Sequence, residues 1–74
     1  MYIGQIIKTV IKEKGISIVS LAKDLSYTRA NIYKILDKKS IDTDVLLKIS
    51  IILEYDFFEL YQHEIKKKSN RETK

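Results

Sequence analysis

Between Ser17 and Lys39 the chain reads SIVSLAKDLSYTRANIYKILDKK. Two short helical patterns lie in this stretch, with only Ser26 and Tyr27 between them. So short a connection admits only a tight turn, and two helices joined by one must cross at a steep angle, which can push the second outward from the domain. Ser17 is placed to cap the first helix, whose inward residues Ile18, Leu21, Ala22 and Leu25 recur at the i, i+3, i+4, i+7 positions of one face. Ala22 supplies the small side chain that a close crossing needs where two backbones approach. Thr28 is placed to cap the second helix, which runs to Leu36 with Ile32, Ile35 and Leu36 on its inward side.

The other side of that second helix, with its margins, carries Arg29, Ala30, Asn31, Tyr33 and Lys34. A guanidinium, a methyl, an amide, a phenol and an ammonium on one outward surface are groups that read base edges and bind phosphate when such a helix enters the major groove. Arg29 suits guanine O6 and N7, Asn31 suits adenine N6 and N7, and Ala30 can touch a thymine methyl. Tyr33 and Lys34 can reach either a base or a phosphate. Ser17, Thr28, Lys38 and Lys39 are the candidate phosphate contacts, Thr28 together with the amides of the helix start. Two of these residues have structural alternatives: the Tyr33 ring can pack over the edge of the core, and Asn31 can serve a local capping or surface role.

Charge is distributed in the same sense. From Lys8 to Lys39 there are eight basic and three acidic residues, whereas from Ser40 to Glu64 there are one basic and six acidic residues. Only the half that contains the paired helices is suited to approach a polyanion. Taken singly, Lys8, Lys12, Lys14 and Lys23 do no more than keep helices soluble; grouped on one half, they favour nucleic acid.

The remaining segments complete an all-α reading. A first helix is expected from about Tyr2 to Lys14, burying Ile3, Ile6, Ile7, Val10 and Ile11 and ending at Gly15. Asp42 can cap a fourth helix with the stripe Leu46, Ile49, Ile52 and Leu53, and Asp56 a short fifth through Phe57, Phe58, Leu60 and Tyr61. The expected organisation is one domain over 1–61 and a basic, flexible tail over 62–74. From Lys66 that tail reads KKKSNRETK; if ordered, it would extend the fifth helix.

Other classes of function find no foothold. A chain of 74 residues is one small domain, too small to enclose a substrate pocket. Without cysteine it has neither disulfides nor thiolate metal sites, and the single histidine, His63, has no second ligand at metal-binding spacing. No Gly-rich phosphate loop, nucleophile elbow or paired-carboxylate cluster is present, so no enzymatic activity, catalytic residue, metal, cofactor or small-molecule substrate is expected. No apolar run is long enough to span a bilayer, the N-terminus lacks the parts of a signal peptide, and the expected location is cytoplasmic.

The run GISIVSLAKDLSYTRANIYKILDKKS resembles the helix-turn-helix of the Cro/CI-type (XRE) family of bacterial and phage repressors, and DTDVLLKISIILEYDFFELY is similar to that family's fourth and fifth helices. The likeness covers residues 2 to 61. Ala22 falls on the family's small residue in helix 2, Ile32 and Ile35 on the core positions of its recognition helix, and Leu46, Ile49 and Leu53 on the core of helix 4. There are two departures: Ser26 stands where the family commonly has a glycine in the turn, and Ile18 where it often has a phosphate-binding glutamine. The resemblance implies a compact five-helix, lambda-repressor-like fold and a sequence-specific regulator of transcription, a repressor, acting on double-stranded DNA. It also implies a homodimer joined through the C-terminal part of the domain. Tyr55, Phe57, Phe58 and Tyr61 are the candidate interface, since one short helix can bury only about half of the large side chains in YDFFELY. The alternative is a monomer with Phe57 and Leu60 in its own core. The competing function is a helical protein-interaction module or antitoxin-like partner that uses the same aromatic surface.

Overall fold

The computed structural model describes the backbone of residues 1–72 and the side chains of residues 1–69. It has five helices: α1 (Ile3–Lys14), α2 (Ile18–Leu25), α3 (Arg29–Leu36), α4 (Thr43–Leu53) and α5 (Phe58–Glu72). Most of the helix starts, and the end of α1, have a local cause. Gly15 adopts the left-handed conformation (φ 67°) and donates its N–H to the carbonyls of Ile11 and Lys12, which closes α1. Oγ of Ser17 accepts the N–H of Ser20 at 3.0 Å, and Oγ1 of Thr28 that of Asn31 at 3.1 Å. The Asp42 carboxylate accepts the N–H of Asp44 at 2.7 Å, and that of Asp56 accepts Phe58 and Glu59 at 3.0 and 3.3 Å. Four helix starts thus have the side-chain acceptor that their unpaired N–H groups require.

The apolar stripes close on a single core. Ile3, Ile7, Val10 and Ile11 of α1 meet Leu21, Ala22 and Leu25 of α2, Ile32 and Leu36 of α3, and Leu46, Ile49 and Leu53 of α4, with Phe57 completing the set. Among the described residues no polar or charged side chain is buried. Ile6, Ile18 and Ile35 are half-buried at the margin of this core.

Two features of the C-terminal region depart from the expectation. Phe57 is fully buried in the core of its own chain, so it offers no surface to a second copy; it is the last of the four residues that link α4 to α5, and that link turns its ring into the core. Beyond Tyr61 the backbone stays helical to Glu72, where a flexible tail was expected. Gln62, Glu64 and Lys66 to Lys68 are good helix formers, no glycine or proline interrupts them, and Glu59 sits 3.6 Å from His63 one turn on. Thr73 and Lys74 of the expected tail lie outside the described residues. No helix among the described residues is long and apolar enough to cross a membrane.

Candidate nucleic-acid interface

The turn between α2 and α3 is built on Ser26, which takes the left-handed conformation at φ 59° and ψ 37°. Its N–H reaches the Lys23 carbonyl at 3.1 Å, and the N–H of Tyr27 reaches that of Ala22 at 2.8 Å. This pair of bonds ends α2 and redirects the chain within two residues, so that Thr28 can cap α3 at once. Ala22, 4% exposed, lies in the core that α2 and α3 share.

Burying Ile32 and Leu36 sets which way the rest of α3 faces. Arg29, Ala30, Asn31, Tyr33 and Lys34 are all exposed, the Tyr33 ring at 56%, so Tyr33 projects from the surface and does not cover the core edge. Among the described residues, none of these side chains forms a hydrogen bond or an ion pair. Their polar atoms are satisfied only by solvent and are available to a ligand. The Asn31 contribution to capping is made by its backbone N–H, which leaves the amide uncommitted. Ser17 and Thr28 each use one hydroxyl lone pair for capping and retain the O–H to donate. Ile18, half-buried, cannot supply the polar contact that a glutamine would make there.

Lys38 and Lys39 follow α3 on an exposed loop that is held by an arrangement absent from the sequence reading. Tyr2, the residue before α1, makes no cap with its own side chain. The N–H of Ile3 instead donates to the Lys39 carbonyl and that of Gly4 to the Lys38 carbonyl, both at 3.0 Å, while the Tyr2 hydroxyl donates to the Asp37 carbonyl at 2.7 Å. The unpaired amides at the start of α1 thereby meet the unpaired carbonyls just past the end of α3, and the opposed ends of two helix dipoles come together. Gly4 permits the approach: a Cβ there would lie 2.6 Å from the Lys38 carbonyl oxygen and closer still to that of Leu36. A glycine inside the first turn of an amphipathic helix was the one visible signal of this contact.

Tyr55, Phe58 and Tyr61 are only partly covered, Tyr55 at 37% exposure, and they belong to the link to α5 and its first turn.

Two capped helices redirected through one left-handed residue, the second with its uncommitted polar face to solvent, make a helix-turn-helix of the DNA-binding kind. The model of one such family, the Cro/C1-type HTH DNA-binding domain, matches residues 7–66, and the chain belongs to that family. No curated protein and no solved structure matches the chain.

Proposed function

We propose that this protein is a sequence-specific regulator of transcription that lays α3 in the major groove of double-stranded DNA and represses by occupying its operator. The observation that carries the reading is the outward face of α3, where Arg29, Ala30, Asn31, Tyr33 and Lys34 are exposed and uncommitted within a chain of the Cro/C1-type family. Arg29 reads guanine through O6 and N7, Asn31 reads adenine through N6 and N7, and Ala30 lies against a thymine methyl. Tyr33 and Lys34, farther along the helix, take a base edge or a phosphate according to the tilt of α3. The hydroxyls of Ser17 and Thr28 and the ammonium groups of Lys38 and Lys39 hold phosphates on either side of the groove and set the register. The regulator works in the cytoplasm, where a bacterial or phage operator lies.

Two copies bind together, with recognition helices about 34 Å apart so that each reads one turn of the same DNA face. Tyr55, Phe58 and Tyr61 belong to the end of the domain at which the copies meet.

Selection of bound duplexes from a random pool at near-physiological salt tests the reading. It is expected to enrich a motif with two symmetric halves. Arg29→Ala should then weaken binding to that motif by about 1–3 kcal/mol and relax the preference at one position of each half. If no motif is enriched, or if Arg29→Ala combined with Lys34→Ala binds duplex as tightly as the parent at low salt, α3 does not read DNA.

A further inference from the structure

The loop after α3 carries Asp37, Lys38, Lys39 and Ser40, all of them exposed. Among the described residues none of these four side chains makes a hydrogen bond or an ion pair. The loop is held through its backbone, from two directions. The N–H groups of Asp37 and Lys38 bond back to carbonyls in the last turn of α3. The carbonyls of Asp37, Lys38 and Lys39 accept the Tyr2 hydroxyl, the Gly4 N–H and the Ile3 N–H at 2.7, 3.0 and 3.0 Å.

Those last three bonds decide which polar groups the loop keeps for a ligand. A carbonyl oxygen carries partial negative charge and repels phosphate, and here three consecutive carbonyls are committed to the start of α1. Among the described residues the N–H groups of Lys39 and Ser40 have no acceptor within the chain. What the loop leaves uncommitted is therefore two ammonium groups, two amide donors and the Ser40 hydroxyl, a set suited to an anionic oxygen.

The start of α1 is a firm anchor, because Ile3 and Ile7 are 0% exposed in the core. Tyr2 stands apart from that core: its side chain is 44% exposed, and its one hydrogen bond is the bond to Asp37. Gly4 is matched to the same contact, since a Cβ there would meet the carbonyl oxygens of Leu36 and Lys38.

We infer that Tyr2 and Gly4 are positioning residues for phosphate binding. They hold the loop with its carbonyls on α1, so that Lys38 and Lys39 meet the DNA backbone from a loop already ordered. This rests on the reading of α3 and of the two lysines given above, and adds the start of α1 to it. A loop ordered before binding spares the complex the entropy of ordering it, and the gain falls on contacts that do not depend on base sequence.

Binding of the full chain to a duplex with one half-site, and to an unrelated duplex, over a range of salt tests the inference. Helical circular dichroism at the assay temperature confirms that each variant is folded. Tyr2→Phe is expected to weaken binding at low salt by about threefold on both duplexes, leaving the preference between them unchanged. It should also flatten the fall of affinity with salt. Gly4→Ala should do the same more strongly where it folds, and Tyr2→Phe alone decides the matter where it does not. Lys38→Ala combined with Lys39→Ala supplies the reference, a slope shallower by about 2. Weaker binding by Tyr2→Phe at the parent slope would leave it a structural role only and overturn the inference, as would parent affinity together with parent slope. Loss of preference for the half-site also overturns it, because the effect would then lie in α3. If the variant lacking both lysines keeps the parent slope, those lysines do not hold phosphate, and the reading falls together with the inference. A flattened slope in that variant beside a parent-like Tyr2→Phe removes the inference alone.

Discussion

At the scale of single residues the turn of the helix-turn-helix rests on an unfavourable backbone conformation. Ser26 holds φ 59° with a Cβ present, and the left-handed region is about 1–2 kcal/mol less favourable for an L-residue than for glycine. Glycine loses more chain entropy on folding, which offsets part of that difference. Ser26→Gly should therefore stabilise the domain by about 1 kcal/mol, seen as a higher urea midpoint with an unchanged slope. A midpoint equal to or below that of the parent would show that the Ser26 side chain contributes something the backbone argument omits. Ala22 and Thr28, on either side, need no such exception, because a small residue at a crossing and a hydroxyl at a helix start agree with the local geometry. The turn is the point where this chain departs from the glycine that the resemblance leads one to expect, and Ser26 takes the left-handed conformation there in its place.

At the scale of elements, what could be read in advance was whatever depends on near neighbours along the chain. The hydroxyl or carboxylate caps at Ser17, Thr28, Asp42 and Asp56, the stop at Gly15 and the core stripes of α1 to α4 are patterns within a few residues, and each is present. The seat of α1 on the loop after α3 was not legible, because its acceptors are the carbonyls of Asp37, Lys38 and Lys39, and every residue has a carbonyl. The burial of Phe57 depends on how the link from α4 turns, and the length of α5 on propensity without an apolar stripe; periodicity reports neither. The seat makes its own prediction. Gly4→Ala places a methyl against backbone oxygens that cannot swing aside, and should cost about 1–3 kcal/mol of stability. Tyr2→Phe removes one hydrogen bond, worth about 0.5–1.5 kcal/mol, without disturbing the core. If the seat also holds Lys38 and Lys39 for phosphate, Tyr2→Phe should weaken duplex binding in the parent and have little further effect once both lysines are alanine. Equal effects in the two backgrounds would confine Tyr2 to a role in stability.

At the scale of the whole molecule, basic and acidic charge fall on different segments of the chain. The basic segment up to Lys39 contains α1 to α3, and the acidic segment from Ser40 to Glu64 contains α4 and the first part of α5. Such a division lets the domain turn its basic part towards a polyanion, since the acidic part is repelled by phosphate. It also fixes what salt should do. If Lys34, Lys38 and Lys39 each neutralise a phosphate, the logarithm of affinity for a single half-site should fall with the logarithm of salt at a slope of about −3. Lys38→Ala should make that slope shallower by about 1, because one fewer counterion is released. Lys48→Ala removes the same charge from the acidic segment, where no phosphate contact is proposed, and should leave the slope as it was. Measured on a single half-site, these two variants separate local phosphate contact from net charge: similar changes in slope for both would mean that the overall positive charge, and not the face built around α3, draws this protein to DNA.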